Sequence, residues 1–105
     1  MLRRLSALLP FGRYLVEGDS MTPTFGAGQR VLVNRLAYWL RAPQHGDLVV
    51  LRDPRDTGRL LLKRIDRVAD GGWLVLGDNP AASTDSRTFG PVSKSLIIGK
   101  VWGTY

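Results

Sequence analysis

Apolar residues fall in short runs separated by glycine, proline and aspartate, a spacing that suits strands and turns better than long helices. Tyr14-Leu15-Val16 runs like a strand into Gly18. Between positions 29 and 34, Val31 and Val33 share one face while Arg30, Leu32 and Asn34 take the other, which predicts a half-buried strand. Leu48-Val49-Val50-Leu51 reads as a second, ended by Asp53-Pro54 and Thr57-Gly58. Residues 59–68, 73–76 and 96–102 supply three more, with turns at Gly26-Ala27-Gly28, at Pro43, Gly46 and Asp47, and at Asp70-Gly71-Gly72. Five strands after the first approach make a mostly β chain of one domain.

Two stretches fit this pattern less well. Residues 1–12 are basic and then apolar, with Leu2, Leu5, Leu8 and Leu9 at helical spacing. They predict either a short amphipathic turn lying on a bilayer or on the body, or a frayed terminus. The apolar part is broken by Pro10 and is far shorter than the roughly 20 residues of a membrane-spanning helix. Residues 1–12 are therefore set apart as a leader, and 13–105 as the folded domain. Leu36-Ala37-Tyr38-Trp39-Leu40 is apolar for a connection; it is a short helix packed on the core or an exposed patch that touches lipid or a partner, and its place between two strands favours exposure.

Composition removes several chemistries. The 105 residues include no cysteine and a single histidine, His45, so there is no disulfide framework, thiolate nucleophile or multi-histidine metal site. No metal or cofactor is expected. His45 sits among turn residues and reads as a surface histidine. Fifteen Lys and Arg against nine Asp and Glu give a net charge of +6, which favours anionic partners, but the arginines are scattered from Arg3 to Arg87.

Chemistry concentrates in three places. In Gly18-Asp19-Ser20-Met21-Thr22-Pro23-Thr24 a serine stands at the mouth of a tight turn, beyond which Pro23 prevents regular structure. As a turn it needs no further purpose, and the hydrolase elbow Gly-x-Ser-x-Gly is not met because position 22 is threonine. In the strand at 59–68, period two puts Leu61, Lys63 and Ile65 on one face and Leu62, Arg64 and Asp66 on the other, with Asp66 beside Arg64. An ammonium between two aliphatic groups loses hydration, which lowers its pKa and makes it a base, unless it reaches solvent from an edge strand. The loop from Gly77 to Arg87 is dense in side chains that bond to backbone, and its Asp85/Arg87 pair would keep it rigid.

Taken in order, Gly18-Asp19-Ser20-Met21-Thr22-Pro23-Thr24, Leu62-Lys63-Arg64, and Gly77-Asp78-Asn79 through Ser83-Thr84-Asp85-Ser86-Arg87 resemble the boxes of type I signal peptidases, over roughly residues 14 to 102. The resemblance implies a compact coiled-sheet or barrel-like catalytic core and a Ser-Lys dyad. Ser20 is then the nucleophile, Lys63 the general base and Met21 its family neighbour in the Ser-Met signature. Ser83 would orient the amine, Asp85 and Arg87 would hold the loop, and Gly77, Asp78 and Asn79 would support it. The amide of Ser20 would be one oxyanion donor; Gly18 stands where some members carry a second, serine donor. The partner implied is a precursor protein with an N-terminal extension. The sequence shows no membrane span ahead of the serine and no further β insertion, so a cytoplasmic place is expected, with peripheral membrane contact through residues 1–12 and 36–40 and no nucleic-acid partner. Within the family it is most similar to the short maturation proteases of nickel-type superoxide dismutase, which implies removal of a propeptide. Two alternatives stand beside this: a non-enzymatic basic module for nucleic acid or anionic membrane, and a relative of the self-cleaving repressors.

Overall fold

The computed structural model describes residues 1–8 and 10–105. Seven strands follow one another: β1 (Leu2–Leu8), β2 (Phe11–Val16), β3 (Arg30–Asn34), β4 (Leu48–Asp53), β5 (Asp56–Ala69), β6 (Gly72–Leu76) and β7 (Ile97–Thr104). They pair antiparallel in the order β1-β2-β3-β7-β4-β5-β6, and Leu2 of β1 also pairs with Leu60 of β5. Six strands thus close into a barrel, joined at the β1–β5 seam by that one pair, and β6 extends β5 outside the ring. The helix α1 (Ser86–Phe89) and two 3-10 turns, Pro80–Ala82 and Lys94–Leu96, lie in the connection from β6 to β7.

Two cores share β5. Inside the barrel Leu62 packs with Leu2, Tyr14, Val16, Met21, Phe25, Val31, Val33 and Val50. On the outer side Leu61 and Ile65 join Val49, Leu51, Val75 and Val92 beneath β6. The alternation read from residues 61–65 therefore holds, and Lys63, between Leu61 and Ile65, enters the second core. That core is closed by the Trp73–Val92 bridge, where an added side chain at Gly72 (φ 143°) would run into the Val92 carbonyl.

Several expectations are corrected. The helical spacing near the start does not produce a helical turn or a frayed end: Leu2 is buried, and β1 pairs with β2 from Leu2↔Val16 to Leu8↔Phe11. Backbone pairing and one inward leucine outweigh a three-residue apolar rhythm; Leu9, part of that rhythm, lies outside the described residues. The five strands anticipated from residue 29 onward are all present. Residues 36–40 form turns rather than a helix. Tyr38 enters the second core and its hydroxyl donates to Asp47 (2.8 Å), whereas Leu36, Trp39 and Leu40 are exposed, Leu40 at 95%. His45 is exposed, with Nδ1 2.6 Å from the Asp66 carbonyl.

Candidate active site

Three segments meet at the far end of β6: the turn after β2, the middle of β5 and the loop after β6. In the β5–β6 ladder Arg64 pairs with Leu76 and Ile65 with Val75. Continuing that register puts Gly77 across from Lys63. The absence of a side chain there is required. A Cβ at Gly77 would overlap Ser83 Oγ and come within 2.8 Å of the Ser20 carbonyl oxygen. Ser20 and Ser83 thus converge on one glycine, with Lys63 beside Ser83.

Lys63 is 2% exposed. Its Nζ donates to Ser83 Oγ over 3.0 Å, and Ser83 Oγ donates to Asp85 Oδ2 over 2.9 Å. A carboxylate can only accept, so the single hydroxyl proton of Ser83 is committed to Asp85 and the same oxygen can only accept from the amine. Burial pushes the Lys63 amine below its ordinary pKa; the opposing pull of the Asp85 carboxylate is smaller.

Asp85 is the anchor of the loop. Besides Ser83 it accepts from the Gly77 N–H (2.8 Å), from the Arg87 N–H (3.1 Å) and from the Arg87 guanidinium through both Nε and Nη2. Burial alone would raise its pKa, but these donors outweigh burial and hold the carboxyl well below the usual range. Ser86 completes the tie by accepting from Val75 N–H (2.8 Å).

A second set of bonds locates the serine turn. Asn79 N–H donates to the Ser20 carbonyl (2.9 Å), and its side-chain amide donates to the Asp19 carbonyl and to Thr22 Oγ1. Asp78 accepts from Thr24 Oγ1 (2.6 Å) and takes a bidentate grip from Arg64 through Nε (3.0 Å) and Nη2 (2.8 Å). Arg64 is therefore paired with Asp78, not with Asp66 as its position along the strand implied; Asp66 lies 3.9 Å from Arg67 instead. The link from β5 through Asp78 to Thr24 is the part of the site that sequence reasoning missed. Its only signal was a charged pair fourteen residues apart, with no local pattern to join it. Met21, 1% exposed, packs in the barrel core, and its sulfur receives the Asp78 N–H at 3.4 Å.

All nine expected residues, Ser20, Met21, Lys63, Gly77, Asp78, Asn79, Ser83, Asp85 and Arg87, belong to this one bonded assembly. Among the described residues the Ser20 hydroxyl and amide make no hydrogen bond, and none joins Ser20 to Lys63. The site thus offers a nearly buried hydroxyl, a free amide beside it, and a dry amine whose orientation is set by an acceptor.

A family model described as "Signal peptidase, peptidase S26" matches residues 4–67 and 66–105. The mitochondrial ATP-independent inner membrane protease subunit 1a of Arabidopsis thaliana is 41% identical over 108 residues, covering 81% of this chain and 64% of that protein. Signal peptidase I of Bacillus caldolyticus is 29% identical over 143 residues, covering 90% and 79%. The mitochondrial inner membrane protease subunit 2 of Schizosaccharomyces pombe is 34% identical over 107 residues, covering 82% and 59%. The chain thus spans less than two thirds of the length of the Arabidopsis and fission-yeast relatives.

Proposed function

The chain belongs to the signal peptidase family, peptidase S26, and on that premise we propose that it is a serine endopeptidase acting through Ser20 and Lys63 to remove an N-terminal extension from a precursor protein. The observation that carries this reading is the Lys63–Ser83–Asp85 relay. An amine kept dry, and bonded to an oxygen that can only accept, keeps its lone pair for another proton donor. With substrate bound, that donor is the Ser20 hydroxyl.

In the reaction, Ser20 Oγ attacks the scissile carbonyl carbon as its proton passes to the neutral amine of Lys63. The Ser20 N–H donates to the oxyanion; Gly18 supplies no second hydroxyl. The C–N bond breaks as the Lys63 ammonium returns its proton to the leaving amine. Water then attacks the acyl ester, giving a proton to Lys63, which passes it to Ser20 Oγ as the ester opens. Catalytic hydrogen bonds often tighten only in the substrate complex, so the lack of a Ser20–Lys63 bond in the free protein is compatible with this sequence of steps.

Within this reading the precursor of a nickel-type superoxide dismutase is the specific substrate proposed, supported by the resemblance of Gly77-Asp78-Asn79 and Ala81-Ala82-Ser83-Thr84-Asp85-Ser86-Arg87 to its maturation proteases. Peripheral membrane contact is supported by the exposed Leu36, Trp39 and Leu40; among the described residues no helix is long and apolar enough to cross a membrane. Replacing Trp39 and Leu40 by serine should then weaken co-sedimentation with anionic vesicles.

The deciding experiment incubates purified protein with precursors, the nickel-enzyme precursor included, and sequences the new N-termini. Cleavage at one position, lost in Ser20→Ala and in Lys63→Met while both variants keep the wild-type β-sheet circular dichroism, is expected. Full turnover by either folded variant would remove that residue from the mechanism.

A further inference from the structure

At one mouth of the barrel the inward-facing rows of three strands each give way to an arginine. Leu2 is succeeded two places on by Arg4 in β1, Val33 by Arg35 just after β3, and Val50 by Arg52 in β4. Period two carries Arg4 and Arg52 onto the inner side of their strands, while Arg35 stands in the turn that follows β3. All three line a cleft of about 570 Å³ along the seam where β1 meets β5, together with Tyr14, Leu60 and Ile98. Their charges gather around Tyr14: burial pushes its phenol up in pKa, and Arg35, Arg4 and Arg52 are the groups that pull it back.

These arginines lack the carboxylate partners that four cations at or near the two cores have. Arg55, Arg64, Arg87 and Lys100 each pair with a buried or half-buried carboxylate. Among the described residues, Arg4, Arg35 and Arg52 pair with none. Arg35 Nε is fully buried and has no hydrogen-bond acceptor, a costly state for an N–H group. Arg52 is steadied by one bond, from Nη1 to the Thr57 carbonyl (3.2 Å). The one acid lining the cleft, Glu17, lies three residues beyond Tyr14, about 10 Å along the strand direction.

We propose that this cleft binds a phosphate group, held by the guanidinium groups of Arg4, Arg35 and Arg52. Three guanidiniums suit a doubly charged, many-oxygen anion better than a single carboxylate, and their planar forks match phosphate oxygens two at a time. The volume exceeds that of the bare ion, so a phosphomonoester with its organic part against Leu60 and Ile98 also fits. None of the residues assigned to proteolysis lines this cleft, and phosphate binding there is independent of that activity.

The test follows thermal unfolding of the full chain in inorganic phosphate against chloride of equal ionic strength. A parallel arm measures binding to phosphatidylcholine vesicles with and without phosphatidic acid. Saturating phosphate should raise Tm by about 5 °C or more. Arg35→Gln and Arg52→Gln should abolish the rise, and Arg67→Gln, which removes the same charge at the far end of β5, should keep it. A response to free phosphate assigns a soluble ligand; a response confined to phosphatidic acid vesicles and lost in Arg52→Gln assigns a lipid headgroup. Equal responses in Arg52→Gln and Arg67→Gln, or no response to either source, would overturn the proposal. The Arg52 side chain is exposed, so its variant remains informative if Arg35→Gln unfolds.

Discussion

Lys63 Nζ donates to Ser83 Oγ over 3.0 Å, across the end of β6 where Gly77 leaves room for the hydroxyl. In the proposed mechanism Ser83 is a positioning residue: its oxygen accepts from the amine and leaves the amine's lone pair free. Ser83→Ala should lower kcat/KM roughly 10–100-fold, the loss expected when one hydrogen bond to a charged or reacting group is removed. It should also move the midpoint of the pH–rate profile. A variant with wild-type rate and an unmoved midpoint would show that the hydroxyl only packs.

The depressed pKa of Lys63 fixes the sign of two pH effects. The proposed role of Lys63 as base requires the neutral amine, so on that reading kcat/KM should rise with pH through a midpoint below the ordinary lysine value of about 10.4. Stability should rise over the same window. Between the folded pKa and about 10.4 the unfolded chain binds the extra proton, so raising the pH favours the fold. Below the folded pKa both states are charged and the penalty of burial is constant. Lys63→Met should therefore unfold at a higher temperature than wild type near pH 6, with the gap closing as pH rises. Calorimetry across that range checks both points.

Asp85 titrates in the opposite sense. Its carboxyl is held well below the usual range, so its contribution to stability is present above about pH 4 and is lost as pH falls towards the folded value. Asp85→Asn keeps the shape but leaves one acceptor oxygen where two now receive Ser83, Gly77 and Arg87. A buried donor left without a partner costs about 1–3 kcal/mol. The variant should melt lower at neutral pH and show a flatter decline in acid than wild type.

Gly77→Ala tests how tightly the segments meet. The added methyl, on a buried residue, would overlap the half-buried Ser83 Oγ and crowd the Ser20 carbonyl at 2.8 Å. Overpacking of this kind costs about 1–3 kcal/mol, and relief by moving Ser83 would detach it from Lys63. Cleavage should fall along with Tm; wild-type activity at wild-type stability would mean that the loop shifts freely.

The parts of this molecule legible in its sequence are those set by local periodicity. Val31 and Val33 point inward as their alternation requires, and Leu61, Lys63 and Ile65 share a face. What depended on distant partners was not legible from residues alone. The first strand carries leucines at a misleading interval and is defined by its ladder with β2. Arg64 has an acid two residues away but finds another fourteen away, because the loop after β6 returns over β5. The nine site residues came from order and resemblance, and Gly77 shows why: only the fold reveals that its missing side chain makes space for two serines.

The run Leu60-Leu61-Leu62 tells β5 nothing about its alignment, since any of the three could take another's place without exposing oily surface. The next two residues supply what the leucines lack. A slip by one place would push a guanidinium into the dry interior and turn the amine towards Asp78, so Lys63 and Arg64 act together as the strand's alignment key. A chain that folded out of step here would lose the amine and the hold on the serine turn at once, although its barrel could still close.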